Sequence, residues 1–256
     1  MASLTESEYR ILVRDRVTVY AMRADEAREK ELTHDRLAAR FDELMDDYDL
    51  GRRTDMLVAR FLGPVHLDGK LVLDAGCGIG GLTRALVARG ARVVALDVGP
   101  HLAATTRGRC HCTAVVGTLT ALGLASGTFD AVLSSEAVEH TPDPEQSVLE
   151  LYRVVKPGGH LVLSTPNRLW QAPVRAASAL GWRPYDGFEN FLWPSQLRGV
   201  LERAGGHLED HRGLHLWPFQ IRSLHRGSTW IDRFGAFLLP LMINQCIHCT
   251  KPGSPL

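Results

Sequence analysis

The chain has 256 residues, of which 45% are hydrophobic and 23% are charged, the composition of a water-soluble globular protein with a sizeable core. Basic and acidic residues number 29 each, so no net charge attracts nucleic acid or an anionic surface, and we expect no nucleic-acid partner. The charged N-terminal stretch lacks an apolar core of signal-peptide length, and the five cysteines are an odd number. These features predict a cytoplasmic protein with reduced thiols.

The longest uncharged apolar run is FGAFLLPLMI, residues 234–243. It is too short to span a bilayer and contains Pro240, so no transmembrane segment is expected. A short apolar run of this kind still allows weak peripheral contact with a membrane surface.

Residues 1–62 have the periodicity of helices. Leu37, Phe41, Leu44 and Tyr48 recur at intervals of three or four residues, which is typical of an amphipathic helix. The sequence therefore predicts a helical N-terminal segment that forms part of a cap.

From Lys70 onward, short continuous apolar runs alternate with helical stretches. This alternation indicates buried parallel strands connected by helices, so residues 63–256 are predicted to form an α/β domain. We expect a doubly wound, mostly parallel sheet of seven strands. Cap insertions are predicted near 168–192 and 218–242. The predicted strands are KLVLDA, RVVALD, VV at 115, FDAVLSS, HLVLST, HLEDHRG and NQCIHCT.

A glycine-rich turn follows the first strand of this domain, in LVLDAGCGIGGLT. Gly76 and Gly78 belong to a GxGxxG pattern between a strand and a helix, and Asp97 ends the next strand. That arrangement fits the phosphates and ribose of a dinucleotide, and it fits an adenosyl cofactor equally well.

Asp74 distinguishes these two ligands by charge. A pyrophosphate on the turn would be repelled by a carboxylate two residues before the first glycine. The sulfonium and ammonium groups of S-adenosylmethionine would be attracted by it. The sequence therefore favours S-adenosylmethionine as the cofactor.

DAGCGIGG, LD, FDAVLSSEAVEH and VKPGGHLVLSTPNR together resemble the class I S-adenosylmethionine-dependent methyltransferases. Two later stretches, ENFLWPSQL and GLHLWPF, resemble the ubiquinone-biosynthesis O-methyltransferases and their relatives, which act on catechols and other small acceptors. The resemblance extends over about residues 34–250.

The resemblance implies roles for individual positions. The methionine portion of the cofactor would lie on the glycine turn and the backbone near Asp74, with Arg53 pairing with its carboxylate. Asp97 would accept the ribose hydroxyls, and Val98 would pack on adenine. Thr118, followed by Leu119, stands where the family has an acid that binds adenine, and Ser135 would present backbone beneath the methyl donor.

Glu136, Glu139 and His140 follow the fourth predicted strand at helical spacing, which would place them on one face of a helix. His140 could act as a general base oriented by a carboxylate. Alternatively, all three could bind a divalent cation such as Mg²⁺ that holds a catechol-like acceptor, a pattern that relatives in the ubiquinone group use. A third reading is that they only stabilise the turn. His215 in GLHLWPF is the second histidine expected near the acceptor.

These observations predict an enzyme that transfers a methyl group to a small molecule, most simply to a hydroxyl of an aromatic or specialised metabolite. N- or C-methylation of a natural product, and a non-catalytic cofactor-binding protein of the same fold, remain alternatives. An oxidoreductase that uses a dinucleotide is disfavoured by Asp74.

Overall fold

The computed structural model describes residues 12–14, 17–19, 30–36, 45–181 and 187–253. Within these ranges, nine strands form a single sheet. They are β1 (Leu12–Arg14), β2 (Val17–Val19), β3 (Leu71–Ala75), β4 (Arg92–Asp97), β5 (Thr113–Val116), β6 (Phe129–Ser135), β7 (Val155–Pro166), β8 (His207–Leu214) and β9 (Asn244–Thr250).

The strand order is β1-β2-β5-β4-β3-β6-β7-β9-β8. Strands β5, β4, β3, β6 and β7 are parallel, and β9 runs antiparallel between β7 and β8. The seven predicted strands are therefore confirmed as β3 to β9, in a mostly parallel, doubly wound sheet. Strands β4 and β5 are added on one side of β3, and β6 and β7 on the other side. Sheets of this kind bind ligands where the strand order reverses, so the expected ligand crevice lies at the carboxyl end of β3.

The helices described in the structure lie before, between and after these strands. They are α1 (Thr33–Arg36), α2 (Asp47–Thr54), α3 (Gly81–Ala88), α4 (Pro100–Cys110), α5 (Pro144–Val154), α6 (Gln171–Ala179), α7 (Pro194–Arg203), α8 (His225–Ile231) and α9 (Gly235–Leu238). A π-helix, Asp55–Phe61, continues α2, and short 3₁₀ turns occupy Val138–His140, Arg168–Trp170, Arg222–Leu224, Asp232–Phe234 and Leu239–Leu241.

Hydrophobic clusters cover both faces of the sheet. Along β3, Leu73 belongs to one cluster and Val72 to the other, as alternating side chains of a strand require. Along β9, Cys249 and Cys246 likewise belong to different clusters. Burial on both faces explains why β3 begins in the sequence as the continuous apolar run LVL.

The N-terminal segment combines helices with strands. Helices α1 and α2 and the π-helix agree with the predicted helical character, whereas β1 and β2 extend the sheet beyond β5 and were not predicted. The predicted helical positions Leu37, Phe41 and Leu44 lie outside the described residues.

None of the helices in the described ranges is both long enough and apolar enough to cross a membrane.

Candidate active site

A cavity of about 400 Å³ opens at the carboxyl ends of β3, β4 and β6, within the size range of small-molecule sites. Ten of the predicted site residues line it: Arg53, Asp74, Gly76, Gly78, Asp97, Val98, Leu119, Ser135, Glu136 and His140. Three other predicted residues, Thr118, Glu139 and His215, are absent from its lining.

The glycine turn between β3 and α3 forms the floor of the cavity. Gly76, Gly78 and Gly80 all have positive φ angles, which favour glycine. A Cβ atom on Gly76 would lie 2.3 Å from the Cβ of Ala137, so no side chain fits there. The bare backbone thus lets the turn pack closely against the loop that follows β6.

Asp74 lines the cavity, but its carboxylate is not exposed at the rim as the charge argument assumed. The side chain is buried and accepts a hydrogen bond from the Thr83 hydroxyl in α3. Burial raises the pKa of Asp74 to about 6, an effect opposed by the Thr83 hydrogen bond and reinforced by Asp97. Through this hydrogen bond the Asp74 carboxylate connects β3 to α3, and it adds negative charge beneath the glycine turn.

Asp97 is buried at the end of β4. One carboxylate oxygen accepts the N–H of Gly78 at 2.9 Å and the other accepts the N–H of Gly99 at 2.9 Å. Burial raises its pKa to about 6, and the backbone hydrogen bonds oppose that rise. Each oxygen retains a second lone pair for a ligand hydroxyl.

Arg53, from α2, reaches the cavity as a buried cation. Its Nη2 lies 2.7 Å from an Asp49 carboxylate oxygen, and its Nη1 donates to the Ser135 hydroxyl at 3.0 Å. Burial acts to lower the pKa of Arg53, but the charges of Asp49 and Glu136 outweigh it and raise the pKa. A guanidinium has five N–H donors, so these contacts leave capacity for a ligand carboxylate.

His215 occupies a different position from the one that the sequence suggested. Its side chain is 0% exposed, and its Nε2 lies 3.0 Å from Asp49 Oδ1, behind Arg53. Its backbone N–H is bonded to Asp232 Oδ1. His215 therefore supports the Asp49–Arg53 pair and does not reach the cavity.

Glu136, Glu139 and His140 do not share a helical face. Glu136 has a left-handed φ of 50° and precedes the single 3₁₀ turn that contains Glu139 and His140, so the three residues do not belong to one helix. Its carboxylate accepts from Ser164 Oγ at 2.8 Å and Asn244 Nδ2 at 2.5 Å. Glu139 is buried and accepts from Thr165 Oγ1 at 2.9 Å.

This geometry does not fit the predicted metal site. Each of the three side chains has its own hydrogen-bond partner within the protein. Across the described parts of the chain, no group of three or more His, Cys, Asp or Glu side chains is arranged to hold a metal ion.

His140 lines the cavity in a defined tautomer. Its Nδ1 lies 2.8 Å from the Phe188 carbonyl oxygen. A carbonyl can only accept, so Nδ1 carries the hydrogen and Nε2 is the nitrogen able to take up a proton. Nε2 lies 3.8 Å from Glu139 Oε1. Burial first, and then the Glu136 charge, raise the pKa of Glu139 well above its usual range.

Glu31 and His34, near α1, also line the cavity but were missed by sequence reasoning. They lie more than 40 positions before the glycine turn, in a charged stretch without a motif, and only the fold brings them to the cavity. Thr118, predicted to face the cofactor, instead donates its hydroxyl to Glu31 Oε1 at 2.9 Å.

Comparison with known proteins agrees with this architecture. Residues 73–163 match the family described as methyltransferase domain. The ubiquinone biosynthesis O-methyltransferase of Xylella fastidiosa is 32% identical over 199 residues, which cover 73% of this chain and 79% of that protein. Its counterpart from Xanthomonas campestris is 32% identical over 203 residues, covering 73% and 82% of the two chains.

Solved structures show the same fold at lower identity. Magnesium protoporphyrin IX methyltransferase from Synechocystis PCC 6803, with bound SAH, has a TM-score of 0.64 at 16% identity and covers 89% of this chain and 100% of its own. An S-adenosylmethionine-dependent methyltransferase from Mesorhizobium loti has a TM-score of 0.60 at 20% identity, with coverages of 78% and 99%.

The sheet, the glycine turn and the acid at the end of β4 define a class I S-adenosylmethionine-dependent methyltransferase. Its cofactor is S-adenosylmethionine. Within that class, the chain belongs to the family of the ubiquinone biosynthesis O-methyltransferases.

Proposed function

We propose that this methyltransferase transfers the methyl group to a hydroxyl oxygen of a small aromatic acceptor, with His140 as the general base. The observation that carries the proposal is the hydrogen bond from His140 Nδ1 to the Phe188 carbonyl, which leaves Nε2 as the proton-accepting nitrogen of a side chain that lines the cavity. The names of the family members, which are O-methyltransferases, support oxygen as the acceptor atom.

The cofactor supplies a methyl group on a positively charged sulfur, which leaves as a neutral thioether. The acceptor oxygen forms the new bond to that carbon, and its proton moves to His140 Nε2. Arg53 and the glycine turn would hold the charged methionine portion, and Asp97 the ribose. No step in this scheme requires a divalent cation, for which the donor set does not fit.

Glu139 acts as a positioning residue in this scheme. The Thr165 hydroxyl holds its carboxyl group 3.8 Å from His140 Nε2. A positive charge on His140 favours ionisation of Glu139, and an ionised Glu139 stabilises the imidazolium in return. The negative charge on Glu139 and the positive charge on His140 would therefore stabilise each other as His140 takes up the proton.

The test compares H140Q with the wild type. Glutamine preserves approximate size but cannot take up the proton, so kcat should fall by about 10²- to 10⁴-fold, the usual contribution of general-base catalysis. The affinity for S-adenosylhomocysteine, measured by calorimetry, should be unchanged. H207Q, at an exposed histidine on β8, serves as the control and should retain full activity.

The acceptor atom is tested with catechols, monophenols and matching anilines, using mass spectrometry and NMR to locate the new methyl group. Methylation of the hydroxyls supports the proposal. Transfer to nitrogen or carbon, or an H140Q enzyme with normal kcat, would contradict it.

We also propose that the enzyme works in the cytoplasm and makes weak peripheral contact with membranes. The five free cysteines support a reducing compartment. The membrane contact is supported by exposed apolar side chains in α8 and in the segment from α8 to β9, which are Trp230, Phe234, Phe237 and Leu241.

A further inference from the structure

Residues 30–36 form one wall of the cofactor cavity. Asp35 fastens this segment to the start of α4, where its Oδ1 accepts the backbone N–H groups of His101 at 2.9 Å and Leu102 at 3.0 Å. On the cavity side, Glu31 and His34 are lining residues. The His34 ring contacts the His140 ring, with centroids 4.4 Å apart. The segment 30–36 therefore contacts the start of α4 through Asp35 and the candidate base His140 through His34.

Glu31 lies beside the loop that follows β5. Val116 of β5 pairs in register with Asp97 of β4, so Thr118 lies just beyond the ends of these two strands. The Thr118 hydroxyl donates to Glu31 Oε1 at 2.9 Å, and its oxygen lies 3.0 Å from the Thr120 hydroxyl. Glu31 is only 8% exposed, so this carboxylate is buried in a defined orientation.

The surroundings of Glu31 suit a purine base. Val98, Leu102 and Leu119 line the same cavity and offer apolar surface to a flat ring. Asp97, immediately before Val98, is the acid at the carboxyl end of β4 that suits ribose hydroxyls. A base attached to that ribose would lie among the apolar side chains, with its edge toward the Glu31 carboxylate.

We propose that Glu31 recognises the adenine of the cofactor by accepting a hydrogen bond from its exocyclic amino group, and that Thr118 holds Glu31 in position. An ionised carboxylate is only an acceptor, and its two oxygens offer about four lone-pair sites, of which the Thr118 hydroxyl occupies one. Adenine presents an N6 amino donor at this edge. A carbonyl oxygen at the same place, as in hypoxanthine, would be repelled.

The test measures ligand binding without an acceptor, so it is independent of the proposed O-methylation. Calorimetry compares S-adenosylhomocysteine with S-inosylhomocysteine, in which a carbonyl replaces the amino group. The wild type should prefer the adenosyl ligand by about 10- to 100-fold, as expected for a hydrogen bond to a charged group. E31Q should lose most of this preference, because an amide can donate to the carbonyl.

Two further variants separate recognition from a general structural effect. T118V should reduce the preference partially, and the double variant E31Q/T118V should behave like E31Q alone, because Thr118 acts through Glu31. E202Q, at a half-exposed glutamate of α7, should retain the wild-type preference. Denaturation midpoints verify that each variant is folded. If E31Q does not fold, the partial loss of ligand preference expected in T118V still tests the proposal. An unaltered preference in folded E31Q and T118V, or equal loss of both ligands in E31Q, would overturn the proposal.

Discussion

The residues around the cavity carry an unusual density of buried charge. Arg53 is enclosed by Asp49 and Ser135, and Glu136 lies close enough to raise its pKa. Burial acts to raise the pKa of Asp49, but the His215 hydrogen bond and the Arg53 charge outweigh it, so the pKa is lowered. Such pairing allows the Arg53 cation to remain buried at the wall of the cavity.

The raised pKa of Asp97 makes the stability of the folded protein dependent on pH. Burial raises its pKa from 3.8 to about 6, so between these values the folded protein binds more protons than the unfolded chain. Stability contributed by this group is therefore complete below pH 3.8 and is lost as the pH rises through 6. Asp74, also with a pKa of about 6, acts in the same direction.

Ligand binding should follow the opposite trend, because ribose hydroxyls donate to the ionised carboxylate of Asp97. We expect the affinity for S-adenosylhomocysteine to be about tenfold weaker at pH 5 than at pH 7, with a plateau above the pKa. Calorimetry across this range measures it. D97N should bind weakly and lose most of the dependence, and a flat wild-type curve would rule out this role for Asp97.

At the scale of elements, the glycine turn links β3, α3 and the loop after β6. The N–H groups of Gly76 and Cys77 both donate to the Leu96 carbonyl, which fastens the turn to β4. Gly76 combines a φ of 81° with a gap to Ala137 too small for a methyl group. The turn therefore depends on glycine for two separate reasons.

These two reasons can be separated by a pair of substitutions. Gly69 has a φ of 70° but open space around it, so G69A should cost only about 1–2 kcal/mol of backbone strain. G76A adds the clash with Ala137 and should be destabilised by about 1–3 kcal/mol more. Chemical denaturation gives both free energies of unfolding. Only G76A should also weaken S-adenosylhomocysteine binding, and equal behaviour of the two variants would contradict the steric argument.

At the scale of the whole molecule, α8, α9 and the adjoining turns present an apolar surface. Phe237 is 85% exposed and Trp230 is 58% exposed, and the Trp230 and Phe234 rings are in contact at 5.3 Å. Arg222, Arg226 and Arg233 in the same segment are exposed. Apolar side chains surrounded by cations are typical of helices that bind the interface of anionic membranes.

The predicted contact can be measured by sedimentation with phosphatidylglycerol-containing vesicles at low and moderate salt. The wild type should bind weakly, and salt should reduce binding by screening the arginines. F237S removes an aromatic group worth about 1.5–3 kcal/mol when buried, so it should weaken binding about tenfold or more. L149S, at a 39% exposed leucine of α5, is the control. Absence of vesicle binding by the wild type would refute the contact.

The sequence by itself determined the sheet and the cofactor class. Continuous apolar runs located β3, β4, β6 and β7 in the interior of the sheet, because strands buried on both faces are apolar along most of their length. The glycine pattern with Asp97 identified the ligand crevice, because a strand–turn–helix unit requires neighbouring residues only. The opposite placement of Cys246 and Cys249 follows from the same strand geometry.

Only the tertiary structure decided which side chains meet. The spacing of Glu136, Glu139 and His140 suggested a shared helical face, but Glu136 has a left-handed backbone and lies outside the 3₁₀ turn that contains the other two. His215 belongs to the motif GLHLWPF, but its buried side chain contacts Asp49 and does not reach the cavity. Glu31 reaches Thr118 across 87 positions of sequence. Contacts of this range depend on how the helices close over the sheet, which local periodicity does not encode.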